Sequence, residues 1–136
     1  MGRVLALDSG TVRIGVAVSD PLGITAQPHS SLDAASPDLM ADISQLVESL
    51  DVERIVVGLP VSLDGTEGAS ARLARDLADR ITEATGVEVS LIDERFSTVT
   101  AERVMIEAGA RRSERRAARD RVAAAVFLQA YLDGMR

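Results

Sequence analysis

An acidic residue, a glycine and a hydroxyl follow an apolar run near the amino terminus. The run from Val4 to Leu7 ends at Asp8, and Gly10 and Thr11 come next. A continuous apolar strand is typically buried, so its last residue emerges at the rim of a sheet, where open α/β sheets bind their ligands. An acid, a glycine turn and a hydroxyl at such a rim favour metal or phosphate chemistry.

A second apolar run ends in acid much later in the chain. Leu91 and Ile92 are followed by Asp93 and Glu94, and the hydroxyls of Ser97 and Thr98 lie just beyond. If this strand runs parallel to the first, both strand ends open onto the same side of the sheet. A turn or helix N-cap role is the alternative for each acid taken alone.

A third acid, Asp120, borders the packed face of a predicted helix. Ala124, Phe127 and Tyr131 follow it at i+4, i+7 and i+11, which is the spacing of one helical face. Burying an unpaired carboxylate is costly, so Asp120 needs a partner. That partner is a metal ion or a sheet-edge donor, or Arg119 in a structural salt bridge.

The residue types around these acids narrow the chemistry. The chain has no cysteine, which excludes thiol catalysis, and its single histidine, His29, leaves a histidine zinc site without a second histidine and gives a Ser-His-Asp triad little support. Carboxylates alone favour hard cations such as Mg²⁺ or Mn²⁺. Two such ions can activate a water and neutralise a leaving oxygen, which favours hydrolysis of phosphate esters.

Arginines supply the candidate phosphate contacts. All 15 basic residues are arginine, and six of them fall between positions 111 and 121, although the whole chain has a net charge of -6. A local cationic patch on an acidic body can bind phosphates in a salt-dependent way, whereas the alternative is a solvated helix start. The predicted substrate contacts are Thr11, Arg13, Ser97, Thr98, Arg111, Arg112, Arg115 and Arg116.

The hydrophobic pattern predicts the elements that must position these groups. Strands are expected over 3–8, 13–19, 24–31, 54–60 and 87–94, and helices over 37–50, 69–85, 97–108 and 113–133. Ser36 is the expected N-cap of the first helix, with Pro37 at its first position, and Gly86 is the expected C-cap of the second. The order predicts an α/β fold whose mixed five-stranded sheet has three antiparallel strands followed by two parallel ones.

Bulk composition limits the class of protein. With 136 residues, of which 46% are hydrophobic, the chain is expected to form a single domain over 1–136. No signal peptide or apolar membrane span is found, so we expect a cytoplasmic protein with no membrane partner. An aromatic content of 2% makes binding by base stacking an unfavoured mode.

Together, six motifs resemble the YqgF-type family, described as pre-16S ribosomal RNA nucleases and Holliday-junction resolvases. They are Asp8-Ser9-Gly10-Thr11 with Arg13-Ile14-Gly15-Val16-Ala17, Ser19-Asp20-Pro21, Val57-Gly58-Leu59-Pro60, Asp64-Gly65-Thr66-Glu67-Gly68, Asp93-Glu94-Arg95, and Asp120 with Ala123-Ala124 and Leu128-Gln129. The resemblance spans the whole chain, and the departures are Val12 for a usual lysine, Ser62 for asparagine, and Phe96-Ser97 for leucine and threonine.

The resemblance implies a ribonuclease H-like fold and a function. Asp8, Glu94 and Asp120 would be the catalytic, metal-binding acids of a nuclease that matures the 5′ end of a ribosomal RNA precursor, with ribosomal particles as possible partners. In such a sheet the strand ending at Pro60 lies between those ending at Asp8 and Glu94, which separates the two acids by ~10 Å. Either sheet twist and the longer glutamate side chain close this gap, or Glu94 joins the site only when substrate and metal bind.

Three alternatives stay open at the level of the sequence. The nuclease could act on branched DNA, as a two-fold dimer that resolves Holliday junctions. The Asp-x-Gly-Thr turn also occurs in ATPases related to actin and sugar kinases, although these close two domains around the nucleotide. A binding module could hold RNA without cutting it. The oligomeric state, monomer or homodimer, is not decided.

Overall fold

The structure is a computed structural model that describes residues 2–8, 12–59, 68–93 and 112–134, with only the backbone given for 93 and 112–120. Five strands and three helices fall within these ranges. They are β1 (Arg3–Asp8), β2 (Arg13–Ser19), β3 (Ala26–Asp33), α1 (Leu39–Ser49), β4 (Val52–Leu59), α2 (Ala69–Thr85), β5 (Glu88–Asp93) and α3 (Arg112–Gly134). No helix within these ranges is both long and apolar enough to cross a membrane.

The strands form one mixed sheet in the order β3-β2-β1-β4-β5. The pairs β1/β2 and β2/β3 are antiparallel, whereas β4 is parallel to both β1 and β5. The predicted arrangement of three antiparallel strands followed by two parallel ones is confirmed. Because β1, β4 and β5 run in the same direction, their carboxyl ends meet at one edge of the sheet, which we call the Asp8 edge. The edge at which these three strands begin is called the far edge.

One face of the sheet packs against α1 and α2 through large aliphatic side chains. Leu5 and Leu7 of β1 meet Ile43 of α1 and Ile81 of α2 in this cluster, and none of the four is exposed to solvent. The other face packs against α3. Its cluster joins Val4, Ala6, Ala17 and Val56 of the sheet to Ala124, Phe127, Leu128 and Leu132 of the helix.

The second helix has the predicted bounds and the first does not. Gly86 follows α2 in the left-handed region with φ of 72°, as expected for a glycine C-cap. The prediction that α1 begins at Pro37 behind a Ser36 cap is wrong, because α1 begins at Leu39 with Asp38 as its N-cap residue. The Ser36 hydroxyl accepts the Asp38 N–H at 3.1 Å, which uses it in the turn before the helix.

Three strands differ from prediction at their ends. β3 starts at Ala26 rather than at position 24, because Ile24 and Thr25 donate their N–H groups to the Asp20 carboxylate. β4 starts two residues earlier than expected, at Val52, where the β1/β4 register shifts. β5 covers Glu88–Asp93, so the predicted extension to Glu94 and the predicted helix over 97–108 lie outside the described residues.

Candidate functional site

Asp8 is the last residue of β1 and has a glycine beside it on each neighbouring strand. Gly15 of β2 is its direct partner. On the other side Leu7 pairs with Val57 of β4, so the next position along that parallel pair is Gly58. Gly58 is in turn the partner of Ile92 in β5. Both glycines are buried, whereas Asp8 is half-buried.

The alternation of side chains assigns Asp8 to the α3 face. Val4 and Ala6 of β1 belong to the α3 cluster, and Leu5 and Leu7 belong to the opposite cluster. Since successive residues of a strand point to opposite faces, Asp8 shares the face of Val4 and Ala6. The same alternation gives that face to Gly15 and to Gly58. The carboxylate therefore projects between two strand positions that carry no side chain.

Arg13 lies on the same face and at the same edge of the sheet. It is two residues before Gly15 in β2 and therefore shares the face of Gly15. Because β2 runs antiparallel to β1, Arg13 lies about 7 Å beyond the level of Asp8 along the strand direction. The half-buried residues Arg13 and Asp8 thus share one face and one edge of the sheet.

Hydrogen bonds at the far edge set the direction of α3. Arg54, which pairs with Val4 at the start of β1, donates to the Tyr131 hydroxyl at 2.9 Å. Gln129 accepts the N–H of Ala26, the first residue of β3, also at 2.9 Å. The carboxyl-terminal end of α3 therefore lies at the far edge, and its amino-terminal end points toward the Asp8 edge.

The backbone of α3 brings position 120 to the level of Asp8. Eleven helical residues from Tyr131 to Asp120 rise about 16 Å, and four strand residues from Val4 to Asp8 cover about 13 Å. Asp120 is also one turn before Ala124, a fully buried residue of the α3 cluster. Arg112, Arg115 and Arg116 occupy the helical turns before Asp120, farther toward and beyond the rim.

The predicted site residues thus fall into three groups. The side chains of Asp8 and Arg13 are described, and for Asp120, Arg112, Arg115 and Arg116 the backbone position alone is given. The others lie outside the described residues: Thr11, Glu94, Ser97, Thr98 and Arg111. Among the described residues no group of three metal-ligating side chains occurs, and only one of the three predicted acids has a described side chain.

The sheet order bears on the distance between two of the acids. β4 lies between β1 and β5, as predicted from the resemblance, so the β1 and β5 ends are two strand spacings or ~10 Å apart. Position 58, on the strand between them, is a glycine that carries no side chain.

Sequence reasoning did not single out the glycines or the far-edge residues of this site. Gly15 and Gly58 were noted only as parts of family motifs, although a glycine inside an apolar strand is a signal of close approach by another group. Asp20 makes local bonds, to N–H groups four and five residues later. The role of Gln129 depends on a contact across 103 residues of chain, between Ala26 and Gln129, which no local pattern reveals.

Residues 2–134 match the model of the RuvX family, which is described as Holliday junction resolvase. The chain belongs to the RuvX family. A relative from Halothermothrix orenii is 42% identical over 132 residues, which cover 96% of this chain and 94% of the relative. One from Myxococcus xanthus is 44% identical over 137 residues, covering 98% of this chain and 89% of the relative. Both bear the name "Putative pre-16S rRNA nuclease".

Solved structures establish the fold of this RuvX family member. T. thermophilus RuvC in complex with a Holliday junction substrate aligns with a TM-score of 0.59 and 16% identity, over 99% of this chain and 96% of RuvC. A second Thermus thermophilus RuvC structure aligns with a TM-score of 0.57. The fold is therefore ribonuclease H-like, as the sequence resemblance implied.

Proposed function

We propose that this RuvX family member is a divalent-metal-dependent nuclease that hydrolyses phosphodiester bonds and matures the 5′ end of pre-16S ribosomal RNA. The observation that carries the proposal is the placement of Asp8 at a strand end between two glycines, below the part of α3 that contains Asp120. The curated relatives, which align over nearly their full length, support the choice of ribosomal RNA as substrate. We further propose that the protein acts in the cytoplasm, as a single domain over 1–136.

The residues present fit a hard divalent cation. Asp8 offers carboxylate oxygens, which Mg²⁺ and Mn²⁺ prefer, and its two strand neighbours on the α3 face, Gly15 and Gly58, carry no side chain. Asp8, Glu94 and Asp120 would hold the metal. When bound, the metal supplies charge stabilisation at the phosphate and a water of lowered pKa.

Glu94 directly follows β5 in the sequence. Ile92 packs against the α3 cluster, and Glu94 is two residues later in the sequence. Two strand spacings separate the ends of β1 and β5. We propose that Glu94 would hold metal together with Asp8 and Asp120.

Arginines and hydroxyls around the rim would hold the flanking phosphates. Arg13 lies beside Asp8 on the α3 face, and a guanidinium binds phosphate oxygens in a bidentate way. The first turns of α3 add the arginine cluster at the same edge. The proposed substrate contacts are Thr11, Arg13, Ser97, Thr98, Arg111, Arg112, Arg115 and Arg116.

Substitution of the cluster tests the phosphate contacts separately from the metal. Replacing Arg115 and Arg116 with Ala should weaken RNA binding and lower the slope of log affinity against log salt by up to about 2, with Mn²⁺ dependence unchanged. Arg80, an exposed arginine of α2 on the opposite face, is the matched control. An Arg80→Ala variant with the same loss would assign the effect to overall charge.

A cleavage assay tests the proposed function directly. The substrate is the 5′ end of a ribosomal RNA precursor, incubated with Mg²⁺, Mn²⁺ or EDTA and with the wild-type protein. Cleavage in both metals and none in EDTA is expected. A wild-type protein that neither cleaves single-stranded or precursor RNA nor binds Mn²⁺ by calorimetry would refute the enzyme and leave a binding module as the better account.

A second candidate function has one observation in its favour, the family description Holliday junction resolvase. A resolvase makes symmetric paired nicks and should therefore be a two-fold dimer. Light scattering and cleavage of a four-way junction separate the two functions. A dimer that cuts the junction faster than the RNA precursor would replace ribosomal RNA with branched DNA as the substrate, with the same acids at work.

A further inference from the structure

The turn between β2 and β3, residues 20–25, is held by its own hydrogen bonds. The Asp20 carboxylate accepts the N–H of Ile24 at 2.6 Å and that of Thr25 at 2.9 Å. The Asp20 N–H donates to the Thr25 carbonyl at 3.1 Å, and Gly23 adopts φ of 70° within the turn. Bonds from both backbone and side chain leave this segment little conformational freedom.

Gln129 of α3 binds two backbone atoms, one in this turn and one in the first residue of β3. Its Oε1 accepts the N–H of Ala26 and its Nε2 donates to the carbonyl of Ile24, both at 2.9 Å. Nε2 also donates to Asp133 of the same helix at 3.1 Å, which orients the amide. Two bonds to one segment fix both the position of the helix along its axis and its rotation, whereas a single bond would leave a pivot.

Strand β1 is tied to the same turn through a buried hydroxyl. The N–H of Val4 donates to Ser19 Oγ at 2.8 Å, and this hydroxyl donates to the Asp20 carbonyl at 2.9 Å. Ser19 is the one polar side chain counted as buried among the described residues, with an exposed fraction of 1%. Hydrogen bonds therefore connect both β1 and α3 to this turn.

Two of the proposed metal-binding acids, Asp8 and Asp120, lie at equal distances from the residues bonded at this turn. Asp8 is four strand residues from Val4, a distance of about 13 Å, and Asp120 is nine helical residues from Gln129, again about 13 Å. A shift of α3 by one residue along its axis would move position 120 by about 1.5 Å relative to Asp8. Catalytic geometry tolerates displacements smaller than that.

We infer that Gln129 is a positioning residue, which sets the level of Asp120 against Asp8 by holding α3 to the β2–β3 turn. The inference rests on the proposed function for the identity of the site. The inference itself predicts that loss of the Gln129 amide displaces the amino-terminal half of α3 and weakens the metal site, while the rest of the fold stays intact.

Kinetics with Gln129→Met tests the effect on the metal site. This variant keeps the length of the side chain and removes both bonds to the turn. The Mn²⁺ concentration for half-maximal cleavage should rise about tenfold, as is typical for residues that orient metal ligands, with a smaller effect on kcat at saturating Mn²⁺. Gln129→Glu places a carboxylate oxygen against the Ile24 carbonyl and the Asp133 carboxylate, so a comparable rise is expected.

Ile43→Val in α1 is the matched control, because it reduces stability from the opposite face of the sheet. It should lower the melting temperature and leave the Mn²⁺ dependence unchanged. A Gln129→Met protein with wild-type Mn²⁺ dependence, or one that matches the control at equal melting temperature, would overturn the positioning role.

A distance measurement separates this inference from the proposed function. Since the chain has no cysteine, nitroxide labels can be attached at Ala35→Cys, near the end of β3, and at Ser113→Cys, in the first turn of α3. The distance distribution should shift or broaden in Gln129→Met and stay unchanged in Ile43→Val. An unchanged distribution in Gln129→Met would overturn the inference even if the protein is a nuclease. A shifted distribution would support the role of Gln129 in positioning α3 even if the protein is not a nuclease.

Discussion

The two faces of the sheet are built from side chains of different size. Toward α1 and α2 the strands present Leu5, Leu7 and Ile55, large side chains that are fully buried. Toward α3 the corresponding strands present Val4 and Val56, the smaller Ala6 and Ala17, and Gly15 and Gly58. The apolar area buried per residue is therefore larger on the α1/α2 face, and so is its expected contribution to stability.

The difference indicates a division of tasks between the faces. Small residues allow a helix to lie close to a sheet, and α3 packs along β1, β2 and β3 in this way. Polar contacts supplement the thinner apolar core on that face, namely the bonds made by Gln129 and by Arg54 with Tyr131. The α1/α2 face stabilises the domain, and the α3 face places the charged groups of the proposed site.

Loss of the Asp120 carboxylate should show the largest difference between the two faces, because cleavage should fall while stability does not. Asp120→Asn is expected to reduce metal-dependent cleavage by roughly 10³-fold, since a metal ion supplies several kcal/mol of charge stabilisation and each 1.36 kcal/mol is tenfold. The melting temperature should not fall, because removing one of several mutually repelling acids relieves repulsion. A variant that unfolds yet retains its activity per folded molecule would instead support a salt bridge with Arg119.

Truncation on the opposite face should show the reverse pattern. Ile55→Ala removes a fully buried side chain from the α1/α2 cluster and should lower the free energy of unfolding by about 2–5 kcal/mol. Cleavage per folded molecule should stay within about twofold of wild type, as measured below the melting temperature. A large loss of activity with folded protein would mean that the two faces are not independent.

A methyl group beside Asp8 should have a moderate effect. Gly58→Ala places a Cβ on the α3 face next to the proposed metal position, so activity should fall about tenfold with a stability change of about 1–3 kcal/mol. Gly86→Ala is no suitable control because that glycine has φ of 72°, whereas Gly134→Ala meets no atom within 4 Å. Equal activity in Gly58→Ala and Gly134→Ala would show that the space beside Asp8 is not used.

The smallest effect is expected from the acid that organises the β2–β3 turn. The Thr25 N–H, and with it the Ile24 N–H, hydrogen-bonds the carboxylate and lowers the pKa of Asp20. A folded-state pKa below the unfolded one stabilises the native state above the unfolded pKa, and this contribution is lost as the pH falls through the folded pKa. Melting temperatures below about pH 4 should thus decline more steeply in wild type than in Asp20→Asn. Parallel curves would contradict this.

Local sequence patterns predict the bounds of two strands and one helix correctly. β1, β2 and α2 have the predicted bounds because an apolar run or stripe ends in each case at an acid, a serine or a glycine. β3 was misplaced by two residues because its sequence is mostly polar and its start depends on the Asp20 carboxylate. The start of α1 was missed because Ser36 forms a turn with Asp38 rather than a cap.

The site was predictable in part for the same reason. Asp8 and Arg13 follow from strand ends and alternation, which local sequence encodes. The contribution of Gln129 could not be predicted, because it depends on bonds between α3 and the β2–β3 turn that form only in the folded chain. Glu94, Asp120 and the arginine cluster remain predictions with respect to their side chains.

The most direct test is the rate of cleavage of the ribosomal RNA precursor as a function of Mn²⁺ concentration, measured for wild type, Asp8→Asn and Asp79→Asn. Asp79 is an exposed acid of α2 on the other face and controls for the change in net charge. Saturable Mn²⁺ activation in wild type and Asp79→Asn, with no activation in a folded Asp8→Asn protein, is the predicted result. Undiminished activation in Asp8→Asn would contradict a metal site at the end of β1.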